Sequence, residues 1–217
     1  MGPADLLTNQ LVKKKRSAAV SHAAVFAAAV DEFAERGFDA ARVDRIAARA
    51  RVNKAMIYYH FGSKRELYVE VLRDVFRAVG HRIRTIADGP GAADVKIGQW
   101  VDAIVEEATQ RPWFPPLMLR ELASGAPRFD ADTFALMNAV FGGVRDILAQ
   151  GQRDRIFRTV DPLFIHLTIM PVVLMFVVRG QAVARNAVTD GVGEPRATES
   201  FVAYMQDMVA RILRTDA

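Results

Sequence analysis

Residues 43–64 read VDRIAARARVNKAMIYYHFGSK, and this stretch decides the fold. Val43, Ile46, Ala47 and Ala50 fall at offsets 0, 3, 4 and 7, one narrow apolar stripe of a short helix. The stripe runs into a four-residue turn, Ala50-Arg51-Val52-Asn53. Asn53 suits the N-cap of a second helix, because its side-chain oxygen can accept an early backbone N–H, with Val52 and Ile57 at the staple positions. That helix is predicted to last about two turns, to Phe61-Gly62. Ser63 and Glu66 then match a capping box, which predicts a longer helix from Lys64 to about Ala87. Two short helices on such a turn are the sequence form of a helix-turn-helix.

Upstream, a helix from Ser17 to Arg36 carries Phe26, Val30 and Phe33 on one face. Gly37 suits the left-handed position that closes it, with Phe38 returning onto Phe33. Residues 1–16 form a flexible arm in this reading. Its Lys13-Lys14-Lys15-Arg16 run serves either as a minor-groove or phosphate arm or as a solubilising tail.

Downstream, apolar residues recur with helical period, and no alternating run bounded by hairpin turns interrupts them. The fold class is therefore all-α. Breaks at Gly37, Gly62, Asp88-Gly89-Pro90-Gly91, Arg111-Pro112, Gly125-Ala126-Pro127, near Gly151 and across Asp190 to Pro195 delimit about nine helices. The later ones are expected over about 92–109, 114–123, 128–149, 162–183 and 197–214, the fourth of these opened by Asp161-Pro162 as cap and first helical residue. Leu163 to Val178 is apolar apart from His166 and Thr168, but it holds Pro171 and falls short of the roughly 20 residues a membrane span needs. It reads as a buried helix with Pro171 as its kink or early interruption. The organisation is an arm (1–16), a head (17–63) and a body (64–217).

Of the 217 residues 51% are hydrophobic and 25% charged, the composition of a globular chain. Cysteine is absent, which excludes disulfides and thiolate metal sites, and His22, His60, His81 and His166 are too far apart for the usual ligand spacings. No metal or cofactor is implied. The N-terminal charges follow the short apolar stretch, the wrong order for a secretory signal, so a cytoplasmic protein is expected. The sequence carries no P-loop, HExxH, nucleophile elbow or glycine-rich dinucleotide fingerprint, so an enzyme is not expected. Charge is unevenly spread: residues 13–65 hold 12 Lys or Arg against 5 Asp or Glu, and residues 66–217 hold 17 against 19. Positive charge concentrated on one short segment is the footprint of a protein that binds nucleic acid or another anionic surface.

The run GFDAARVDRIA (37–47), continued by ARARVNKAMIYYHFGSKREL (48–67), resembles the DNA-binding domain of the TetR family of bacterial regulators. Its strongest element is Tyr58-Tyr59-His60-Phe61 with Ser63-Lys64 and Leu67 behind it. The resemblance implies a homodimeric repressor that binds a palindromic double-stranded DNA operator and lets go when a small-molecule effector enters the body. Carried over by position, Asn53 heads the recognition helix, Lys54, Ala55, Met56 and Tyr58 face bases, and Tyr59, His60 and Lys64 hold phosphates. Arg42 stands where the family usually has Ser or Thr; a guanidinium reaches phosphate, but the neutral cap is lost. Arg51 replaces a usual turn glycine, which means backbone strain at positive φ or an added phosphate contact. The alternative for Tyr58 is a residue packed beneath the helix, and for His60 a helix-end residue with no DNA contact. Ala55 and Met56 can read bases only through contacts such as the thymine methyl.

In the body, candidate pocket residues are Trp100, Ile104, Met118, Phe134, Met137, Asn138, Phe141, His166 and Met170, each of which also reads as core. His166 needs a hydrogen-bond partner inside an apolar helix, and a ligand could supply it. The Met and Phe content points to a lipophilic or aromatic effector. By analogy with the family, Val172, Val173, Phe176 and Val177, then Phe201, Tyr204, Met205, Met208, Val209 and Ile212, pair with their twofold mates in a four-helix bundle, with no membrane involved. The helix holding Leu67, Val71, Val75, Phe76 and Val79 is the expected lever between body and head. Two other readings stay open: a DNA-binding regulator without an effector, and an all-helical lipid or small-molecule carrier.

Overall fold

The computed structural model describes the backbone of residues 3–186 and 195–214 and the side chains of residues 20–186 and 196–214. Among these residues the elements are helices throughout: α1 (Pro3–Ala40), α2 (Val43–Ala50), α3 (Lys54–Phe61), α4 (Lys64–Asp88), α5 (Ala93–Gln110), α6 (Phe114–Ala123), α7 (Ala131–Arg153), α8 (Pro162–Arg185) and α9 (Pro195–Leu213). The chain divides into two compact units, residues 1–72 and 73–217, with the division inside α4. The side chains of Lys13 to Arg16, and most of the break expected across Asp190 to Pro195, lie outside the described residues.

In the first unit the helical backbone starts at Pro3 rather than at Ser17. Val25, Ala29, Phe33, Ile46, Ile57 and Leu67 are fully buried, and each large apolar side chain removed from water contributes roughly 1.5–3 kcal/mol. Gly37 has the expected positive φ of 70°, but its ψ of 180° is not left-handed helical; this backbone region is essentially reserved for glycine. The turn there brings the Phe38 ring within 6.4 Å of Phe33 and 5.1 Å of Tyr68. Arg42 caps α2 without a side-chain hydrogen bond. Its backbone N–H instead donates to Oε1 of the buried Glu32 at 3.1 Å.

In the second unit α5 packs against α7, α8 and α9. Gly143 lets α7 approach α4: a Cβ there would lie 2.2 Å from Cγ2 of Ile83. Helix α7 starts at Ala131 instead of residue 128, because Ala126 and Phe129 are buried in the preceding turn, with Ala126 at φ 51°, and Asp130 supplies the cap. Asp161 caps α8 as expected, accepting the Leu163 N–H at 2.8 Å. Helix α8 keeps Pro171 inside it and is long and apolar enough to cross a membrane by length and composition. The expectation of a buried helix holds for one face only: Ile165, Ile169, Val173 and Val177 are core, whereas Phe164, Leu167, Val172 and Met175 are exposed.

Candidate functional site

The head is built on the anchoring of α3. Ile57 and Phe61, four residues apart, are buried, so the opposite side of the two-turn helix faces outward. Asn53 Oδ1 accepts the Ala55 N–H at 2.9 Å and fixes the start of the helix. Lys54, Ala55, Tyr58 and Tyr59 are exposed on α3, Tyr59 most fully at 75%; Met56 is half-buried. Gly62, at φ 74°, ends the helix beneath the Glu66 carboxylate, which would lie 2.1 Å from any Cβ. Ser63 Oγ accepts the Glu66 N–H at 3.1 Å, the half of the capping box that starts α4.

The candidate contact residues are held in different ways. Lys54 Nζ lies 2.8 Å from Asp44 Oδ1, and this hydrogen bond raises the ammonium pKa. Lys64 Nζ donates to the Asp39 carbonyl at 3.3 Å and sits 4.5 Å above the Phe38 ring, an electrostatic contact with the face of the aromatic. His60 Nε2 is 2.8 Å from Ser21 Oγ, and the His60 ring meets His22 edge-on at 5.5 Å. Burial, and then the neighbouring His22, hold the His60 imidazole below its ordinary range. Arg51 adopts φ 55°, ψ 40°, with its N–H directed to the Ala47 and Ala48 carbonyls. Among the described residues, the Arg42, Arg45 and Arg51 guanidiniums are in no ion pair, whereas Arg49 is tied to Glu35 at 2.7 Å. Several cations therefore stand on or beside the outward face of a short anchored helix, the arrangement that suits a polyanion.

The second unit holds a cavity of about 390 Å³ between α4, α6, α7 and α8. Six sequence candidates line it: Met118, Met137, Asn138, Phe141, His166 and Met170. Three do not, which corrects the expectation. Trp100 and Ile104 are buried on α5, which turns that face to the core helices, and Phe134 lies 40% exposed against Phe129 at 5.6 Å. Sequence reasoning missed Val75, Phe76 and Val79 on α4, Phe114, Leu119 and Leu122 on α6, and Leu163, Leu167 and Leu174 on α8. The α8 set was detectable, because 163, 167, 170 and 174 repeat at helical spacing around His166. His166 Nδ1 is enclosed without a hydrogen-bond partner, the ring stands edge-on to Phe141 at 5.4 Å, and burial keeps the imidazole below its ordinary range. Among the described residues, no group of three or more His, Cys, Asp or Glu is placed to hold a metal ion.

Comparison with known proteins follows this division. Residues 17–71 match the family of bacterial regulatory proteins, tetR family, and residues 94–209, over half the chain, match the Tetracyclin repressor-like, C-terminal domain. The HTH-type transcriptional repressor SCO4008 of Streptomyces coelicolor is 51% identical over 57 residues, 26% of this chain and 30% of that protein. The HTH-type transcriptional repressor NicS of Pseudomonas putida is 24% identical over 193 residues, 88% of this chain and 91% of that one. The chain thus spans under a third of the first relative's length and nearly all of the second's. Among solved structures, the ketosteroid transcriptional regulator KstR2 of Mycobacterium tuberculosis superposes with a TM-score of 0.69 at 21% identity, over 90% of this chain and 95% of that one. At that identity it shows a shared fold. With its head and more than half its length matched in order, this chain belongs to the TetR family of bacterial transcriptional regulators.

Proposed function

We propose that the chain is a ligand-responsive transcriptional repressor that binds a palindromic operator as a homodimer and is released by a small lipophilic or aromatic effector. The observation that carries the DNA half of this reading is the outward face of α3, where Lys54, Ala55, Tyr58 and Tyr59 are exposed while Ile57 and Phe61 anchor the helix from behind. A helix presented this way enters a major groove. Lys54, Ala55, Met56 and Tyr58, behind the Asn53 cap, face base edges. Tyr59, His60, Lys64, Arg42 and Arg51 hold phosphates. Lys54 exchanges Asp44 for DNA at small cost, since exposed ion pairs are weak.

The body, taken as residues 64–217 beside a head of residues 17–63, senses the effector in the apolar cavity, where Val75, Phe76 and Val79 give α4 a direct contact with the guest. An effector shifts the repressor only through its difference in affinity between DNA-competent and incompetent forms. Homodimerisation through α8 and α9 covers the exposed Phe164, Leu167, Val172, Met175 and Tyr204, a use of the apolar α8 face that needs no membrane. The protein acts in the cytoplasm, where its DNA is, and catalyses no reaction.

Selection of bound sequences from random duplexes by the purified chain tests the reading. The expected product is an inverted repeat with half-sites about one helical turn apart. Recovery of no sequence over scrambled competitor, with or without small-molecule extracts, overturns it.

A further inference from the structure

We infer that the cavity of the second unit takes an uncharged, largely hydrocarbon molecule bearing a single hydroxyl or carbonyl group that pairs with His166. This rests on the reading of that cavity as the effector site and names the chemistry of the guest.

At about 390 Å³ the space is at the small end of ligand pockets, room for one compact molecule. Its walls are apolar apart from Asn138 and His166, and no Lys, Arg, Asp or Glu lines it. A carboxylate, ammonium or phosphate placed there would lose its hydration and meet no counter-charge. Asn138 is exposed at the rim, where water satisfies it. His166 is different. Among the described residues neither ring nitrogen has a hydrogen-bond partner, and Nδ1 is sealed from solvent, which leaves Nε2 as the nitrogen a guest can reach.

Burial keeps the ring neutral, with one N–H and one lone pair, so Nε2 presents one of the two and a single guest O–H or C=O pairs with it. A second polar group held away from the Asn138 rim would find no partner and would be penalised. Phe141, edge-on at 5.4 Å, fixes the ring's position, and Met118, Met137 and Met170 supply a deformable wall for the hydrocarbon part.

Titration calorimetry on the full chain with decan-1-ol, decanoate and decylammonium, at about pH 8 where the acid is ionised, tests this. Decan-1-ol is expected to bind saturably, and the two charged probes at least about a hundredfold more weakly. His166→Phe, which keeps a ring of similar shape without nitrogens, is expected to weaken decan-1-ol about tenfold. Should that variant fail to fold, histidine ¹⁵N resonances of the unaltered chain decide: decan-1-ol moves those of His166 and leaves those of His22, His60 and His81 in place. Charged probes binding as tightly as the alcohol, no saturable alcohol binding, or an unmoved His166 overturns the inference. Decan-1-ol that binds through His166 yet leaves operator binding unchanged upholds the ligand class and removes the ligand-released repressor. Operator release by another compound, with decan-1-ol ignored, does the reverse.

Discussion

Arg73 and Asp130, 57 positions apart, meet with Nη2 of the guanidinium 2.6 Å from both carboxylate oxygens, while Nε donates to Thr133 Oγ1 at 2.9 Å. Asp130 is also the N-cap of α7, accepting the Thr133 N–H at 2.9 Å. One carboxylate thus starts a helix and ties it to α4. Asp130→Ala is expected to cost about 1–2 kcal/mol in urea unfolding, chiefly through the lost cap. The Thr133 hydroxyl, then its amide, then Arg73 hold this carboxyl well below the usual 3.8. A depressed carboxyl contributes stability that is complete above its unfolded pKa and is lost as pH falls below it. Asp130→Asn keeps the acceptor and removes the titration, so its stability should fall less steeply than the unaltered chain's below about pH 4. Parallel acid limbs for the two proteins would refute this role.

Arg51 carries a positive φ that glycine adopts without a Cβ penalty. Arg51→Gly is expected to raise the unfolding free energy by up to about 1 kcal/mol, the gain reduced by the freer unfolded chain. If the guanidinium holds phosphate, the same variant binds DNA more weakly and with a shallower salt dependence. A stability gain with unchanged DNA affinity would show that the side chain is idle.

Lys64→Ala should weaken binding to all duplexes and flatten the plot of log affinity against log salt by about one unit. Asp44→Asn acts in the opposite direction, since it frees Lys54 and removes a negative charge beside it. Its expected effect is a roughly two- to fivefold tighter complex at low salt, fading as salt rises. Fluorescence anisotropy across a salt series measures both, and an unaltered slope for Lys64→Ala removes that lysine from the phosphate contacts.

Gly143→Ala places a methyl 2.2 Å from Ile83 Cγ2 at the crossing of α7 and α4. The two helices must move apart, at an expected cost of about 1–3 kcal/mol. Gly142→Ala next to it, whose Cβ would meet nothing closer than 3.7 Å, serves as the control. Equal unfolding midpoints for the two variants would mean that the crossing has slack.

What the sequence made legible is what neighbours along the chain decide. The Asn53 and Asp161 caps and the end of α3 at Gly62 each follow from a few adjacent residues and stand where their chemistry places them, whereas Gly37 takes the expected positive φ with an extended ψ. The cavity was half legible. Met137 and Phe141 are recoverable as an inward face, but that α5 lies wholly off the cavity depends on its packing against α7, α8 and α9, which buries Trp100 and Ile104 in the core instead. Nothing local announces that Arg73 will find Asp130, because that pairing exists only after α4 and α7 have packed.

Pro171 divides α8 at the cavity wall. Proline brings no amide hydrogen, so the Leu167 carbonyl, at the cavity wall, lacks its rung in the helical ladder. The stretch that carries His166 is therefore joined to the rest of α8 by a softened splice, and it can tilt without breaking a bond that was never made. Amide exchange along this helix should accordingly proceed at two paces, one on each side of residue 171.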